Sequence, residues 1–122
     1  MKSIDKRLDE AWSLLIKLIA GNQCERCFKT TYLNSHHIFS RSNKSVRWHI
    51  PNGICLCAGC HALNNDSAHK SPLLFAEWIK HKRGEQWYNN LMMRAHSVGK
   101  LTTFEKEIIL KELQEEIKKL KN

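Results

Sequence analysis

Two C-x-x-C pairs, Cys24 with Cys27 in CERC and Cys57 with Cys60 in CAGC, carry the clearest chemical signal in this chain. Each pair offers two thiolates from one turn. Together they fill the four positions around a tetrahedral ion, so the spacing points to a structural Zn2+ site. Cys55, two residues before Cys57, is read instead as a small buried residue. Disulfides fit less well: five cysteines leave one over, and Asp5, Asp9, Glu10 and Lys17 break the basic and apolar parts that a secretory leader needs. Zinc in such a site supplies on the order of 10 kcal/mol or more of folding free energy, enough to hold an irregular segment rigid without a large core.

Between and beside the pairs lie further groups capable of chemistry. His36 and His37 stand side by side in LNSHHIFSRSN, Asn52 follows His37 by fifteen positions, and His61 comes directly after Cys60. Taken singly, each has an ordinary explanation: most histidines are satisfied polar residues, as His49, His81 and His96 are read here, and Asn before Gly is a common turn signal. Taken together inside a zinc frame, the run His36-His37, Asn52, Cys57-x-x-Cys60-His61 resembles the HNH endonuclease family, over about residues 22–70.

The resemblance implies a treble-clef ββα-metal core that hydrolyses DNA phosphodiester bonds. By that likeness His36 takes the place of a metal-ligating Asp or His, His37 that of the general base, and His61 that of a second ligand to a catalytic Mg2+ or Mn2+. Asn52 matches the asparagine that ties the hairpin loop and helps orient the base. Strand alternation suits this division, since adjacent side chains face opposite ways and one can meet a cation while the other meets water. A neutral imidazole with pKa near 6.5 is suited to taking that proton. The expected products are a 5′-phosphate and a 3′-hydroxyl, with the cation stabilising charge on the leaving oxygen. Colicin-type relatives have a further histidine four positions on, where this chain has Asn65. Its amide is the nearer substitute, and His69, about two turns along a continuing helix, the more remote one.

For holding nucleic acid, Arg41, Lys44 and Arg47 recur every three residues before Trp48, and such side chains suit phosphate oxygens. Trp48 is read as a lid on the core in preference to a base-stacking platform. Lys80, Lys82, Arg83 and Arg94 extend the basic surface. No separate recognition helix is evident, so backbone or shape recognition is expected rather than a long cognate sequence.

These groups need elements to position them. Ser3 caps a first helix with Leu8, Trp12, Leu15 and Ile19 on one face and Gly21 beyond its end. Residues 22–54 are irregular and rich in turn formers, as hairpins and loops are. Ser71-Pro72 opens a helix that Gly84 ends, in which Leu73, Phe75 and Trp78 look like packing residues. A further helix fits residues 85–98, with Trp87, Leu91 and Arg94 or Ala95 along one side. The last opens with a Thr102–Glu105 capping box and carries Leu110, Leu113, Ile117 and Leu120, a stripe fit to pack on the first helix or to form a homodimer seam.

At 122 residues the chain is long enough for one modest core, and no apolar run reaches the ~18 residues of a membrane span. The net charge of +8 is concentrated in the middle: residues 22–70 carry six Lys/Arg against two acids, whereas the last 22 residues balance five against five. Such a distribution suits a polyanion. The reading is therefore one α+β domain over residues 1–122, with an N-terminal helix at 1–21, the zinc-framed core at 22–70 and a helical extension at 71–122. Its expected activity is metal-dependent DNA cleavage in the cytoplasm, and by resemblance its arrangement looks like that of small phage nucleases. The competing reading is a zinc-finger DNA-binding module without catalysis.

Overall fold

A computed structural model describes residues 1–97 and 99–121. Helix α1 (Ile4–Ile19) starts where Ser3 Oγ accepts from the Lys6 amide at 3.1 Å, and it ends before Gly21, whose φ of 70° suits only glycine comfortably. Leu8, Trp12, Leu15 and Ile16 form its buried face. The expected stripe therefore shifts at its end: Ile16 turns inward, while Ile19 in the last turn is 53% exposed.

Strands β1 (Leu33–His37) and β2 (Gly53–Cys57) pair antiparallel, with Leu33 opposite Cys57 and His37 opposite Gly53. All five residues of β2 are buried. On one side α1 lies so close to Gly53 that a Cβ there would stand 2.3 Å from Ile16 Cδ1 and 2.7 Å from the Trp12 ring. On the other side Ile54 and Leu56 pack with Phe75 and Ile79 of α2 (Pro72–Arg83). The mixture of helices with a small antiparallel sheet is compatible with the α+β class.

The helical segment carrying His61 is much shorter than expected. It is a single π-helical turn, Gly59–Leu63, closed by the Asn64 amide on the Gly59 carbonyl at 2.9 Å. Asn64, Asn65, Asp66 and Ser67 are poor helix formers that favour turns, and Asn64 is already extended (φ −75°, ψ 154°).

Helix α2 ends at Gly84, whose φ of 95° makes the corner into α3 (Glu85–Ala95). Helix α3 buries Leu91 and Ala95; the expectation that it runs on to Val98 ends outside the described residues. Leu73, expected to pack, is 84% exposed in the first turn of α2. Helix α4 (Thr103–Lys121) opens with the reciprocal Thr102–Glu105 hydrogen bonds, and Leu110 and Leu113 pack against Leu8, Trp12 and Leu15. Its apolar stripe is thus used on α1, although Leu120 remains half exposed.

No helix of the described residues is long and apolar enough to cross a membrane.

Candidate active site

Both cysteine pairs meet at one point. The Sγ atoms of Cys24, Cys27, Cys57 and Cys60 all lie within 4.8 Å of one another, and Cys27 and Cys57 are 3.5 Å apart. Tetrahedral ligation at Zn–S of about 2.3 Å places sulfurs about 3.8 Å apart, so the cage fits. Backbone amides already face the sulfurs: Arg26 and Cys27 donate to Cys24 Sγ, and Cys60 to Cys57 Sγ. Burial pushes the Cys24 thiol up, but these amides and its neighbours outweigh it and bring it down to about 6, whereas burial and the adjacent thiols push Cys60 up. The four sulfurs are positioned to hold a metal ion such as zinc. Cys55 stays outside, buried against α1, its thiol raised to about 11 chiefly by burial.

The two adjacent histidines diverge as strand alternation requires. His36, opposite Ile54, turns toward α2, its ring 5.5 Å from Phe75. His37, opposite Gly53, turns toward α1 and stacks on Trp12 with ring centres 3.9 Å apart and planes 13° from parallel. His37 Nε2 lies 2.9 Å from the Arg47 carbonyl. A carbonyl has no proton to give, so Nε2 carries the hydrogen and Nδ1 keeps its lone pair. Burial holds the His37 pKa below the usual imidazole value, leaving that lone pair free at neutral pH.

Asn52 is fully buried and closes the loop that delivers the Arg47 carbonyl. Its Oδ1 accepts from the Phe39 amide at 2.7 Å, and its Nδ2 donates to the Phe39 and Val46 carbonyls, each at 3.1 Å.

His36 faces not one imidazole but two. His61 and His69 each stand with ring centres 5.1 Å from His36, and their Nε2 atoms are 3.0 Å apart. The ligating nitrogens of all three residues lie within 4.8 Å of one another. Two nitrogens bound at about 2.1 Å to a common ion stand roughly 3.0–3.4 Å apart, so this cluster also fits a cation. Burial first, then the charges of His61, His69 and His37, push His36 down to about 3, and burial lowers His61 as well. Neutral imidazoles are the state that binds metal.

His69, the more remote of the two alternatives in sequence, is therefore the residue brought to the cluster. Because the helical turn stops at Leu63, the chain doubles back and the His69 amide bonds the His61 carbonyl at 3.1 Å. Asn65 is exposed, its carbonyl taken by Ser71 Oγ. The cluster contains no carboxylate, and imidazole donors suit Co2+, Ni2+ or Zn2+ better than the expected Mg2+ or Mn2+.

His36, His37, His61, His69 and Arg41 line one cleft of about 660 Å³. Of the three expected phosphate contacts, Lys44 is exposed and Arg41 reaches the cleft wall while pairing with Asp9 at 3.1 Å. Arg47 is placed differently: its side chain is only 14% exposed, and it holds Asp9 through Nε at 3.1 Å and Nη2 at 2.7 Å. Trp48 is a core lid, 5% exposed, with Nε1 donating to Asp9 at 2.8 Å. Arg83 is also drawn inward, tied to Glu25 and to the Gly53 and Pro51 carbonyls. Asp9, which no motif marks, thus anchors the segment whose carbonyl orients His37. No family model, curated protein or solved structure matches the chain.

Proposed function

We propose that this protein is a metal-dependent DNA endonuclease of the HNH type, with a structural zinc ion in the four-cysteine cage. One observation carries the reading: His37, whose Nε2 is held by a backbone carbonyl, and the cluster of His36, His61 and His69 line the same cleft, with His37 and His36 on opposite faces of one strand.

In this reading His37 Nδ1 takes a proton from the attacking water, while the Arg47 carbonyl and the Trp12 ring hold the imidazole in one orientation. His36, His61 and His69 would hold a divalent transition-metal ion, which when bound would supply electrostatic stabilisation of the scissile phosphate and the leaving 3′-oxygen. Arg41 contributes positive charge at the mouth, and the basic middle of the chain draws the DNA backbone. The zinc cage has no part in the reaction; it holds β2 and the turn bearing His61 in fixed relation.

Plasmid nicking over a series of Mg2+, Mn2+, Co2+ and Ni2+, with zinc measured on the same sample, tests this. Cleavage is expected with the nitrogen-preferring ions. His37→Ala should abolish it while zinc content and DNA binding survive. DNA binding with no cleavage under any ion would identify a binding module instead.

A further inference from the structure

The cleft is larger than hydrolysis requires. A phosphate and one cation need only the part where His36, His61 and His69 converge, yet the space extends to about 660 Å³. Much of the remaining wall is apolar and comes from the corner between α2 and α3, which the single residue Gly84 makes possible. Phe75, edge-on to His36 at 5.5 Å, marks the junction, and Phe39, Trp87, Tyr88 and Met92 continue the wall. Two of these rings are held before any ligand arrives. Trp87 Nε1 donates to the Pro51 carbonyl at 3.0 Å with the Arg83 guanidinium 5.1 Å from its ring centre, and the Lys80 ammonium lies 4.6 Å from the centre of Tyr88.

We infer that this aromatic arm of the cleft is a subsite for one unstacked nucleobase, belonging to the strand whose phosphate lies at the three histidines. The inference rests on the nuclease reading for where that phosphate sits. Charge complementarity selects the occupant: a part that carries Arg41 and three imidazoles able to hold a divalent cation, joined to a flat apolar part, matches a nucleotide, which carries an anion and a π-face on one small framework. A free phosphate would use only the first part, and an apolar peptide side chain only the second. A base stacked and paired within a duplex cannot enter, so the subsite selects DNA containing an unpaired nucleotide. Fixed aromatic rings suit this because stacking tolerates any base.

The test uses the zinc-loaded full-length His37→Ala protein, so that DNA is not consumed. Oligonucleotide duplexes of one sequence, either fully paired or with a single unpaired 2-aminopurine, are titrated while its emission is followed. The unpaired site should bind about tenfold more tightly, with quenching of 2-aminopurine on stacking. Adding Tyr88→Ala should remove most of that preference, whereas Tyr88→Phe, which keeps the ring, should retain it. Equal affinity for both duplexes with unchanged emission overturns the subsite, a result that needs no Tyr88 variant to fold. If the wild-type protein nevertheless cleaves paired plasmid, the nuclease reading survives that loss. Conversely, quenching and Tyr88 dependence without cleavage by wild type under any ion would uphold base binding and overturn the nuclease reading.

Discussion

Asp9 carries more of the site's geometry than its place in an ordinary helix suggests. Its carboxylate receives Arg47, Arg41 and the Trp48 indole, and Arg47 in turn offers His37 its carbonyl. Burial alone would raise the Asp9 pKa, but the hydrogen bonds from Arg47 and Trp48 and the charges of Arg47 and Arg41 outweigh it and hold it below the usual carboxylate value. A folded-state pKa below the unfolded one means stability that is present above the unfolded pKa and lost as pH falls through the folded value. Thermal unfolding of wild type and Asp9→Asn from neutral pH to below about pH 4 should therefore converge, with the wild type losing its advantage at the acid end. The same variant should lower the cleavage rate with little change in zinc content. At this scale the cysteines were legible from their own spacing, whereas His36, His37 and Asn52 stood out only through their resemblance to the HNH pattern. Asp9 was invisible because its partner lies 38 positions away.

Among the elements, the short turn at Gly59–Leu63 and the corner it leads into decide the three-histidine cluster. His69→Ala should weaken Mn2+ or Co2+ binding to the zinc-loaded protein by at least about tenfold, and Asn65→Ala should leave it unchanged, as calorimetric titration would measure. A continuing helix would have favoured the opposite result. The contact between α1 and the sheet is equally specific. Gly53→Ala would press a methyl group into Ile16 and the Trp12 ring on which His37 stacks. Overpacking of this kind costs about 1–3 kcal/mol, so the denaturation midpoint should fall and cleavage fall with it. Helix boundaries were legible because caps and breakers act within a few residues: Ser3, the Thr102–Glu105 box, Pro72 and Gly84 all lie at the ends they predicted.

Across the molecule, the two C-x-x-C pairs join the loop after α1 to β2 and the turn that follows it, a junction also held by the Glu25 amide on the Cys55 carbonyl and by Arg26 on the Asp66 carbonyl. Cys24 and Cys27 come from the loop after α1, Cys57 from the end of β2 and Cys60 from the following turn, so one ion would fasten the segment that aims His61. Cys24→Ser, or chelation of the wild type, should unfold this middle region first, seen as lost protection from hydrogen exchange in residues 24–70 before α1 and α4. Those two helices keep a shared core of Leu8, Trp12, Leu15, Leu110 and Leu113. A uniform loss across the whole chain would show that the metal supports the entire fold.

The chain's own order of residues determined what acts locally: thiol pairs at knuckle spacing, helix starts and stops, an excess of positive charge in the middle, and imidazoles on alternate sides of a strand. These depend on neighbours a few bonds away and survive any packing. Tertiary structure alone decided that His69 rather than Asn65 joins His36 and His61, that Arg47 turns inward to Asp9, and that an aromatic arm adjoins the histidine cluster. Each of these depends on where distant segments come to rest, and that is set by close packing around β2, which no local periodicity encodes.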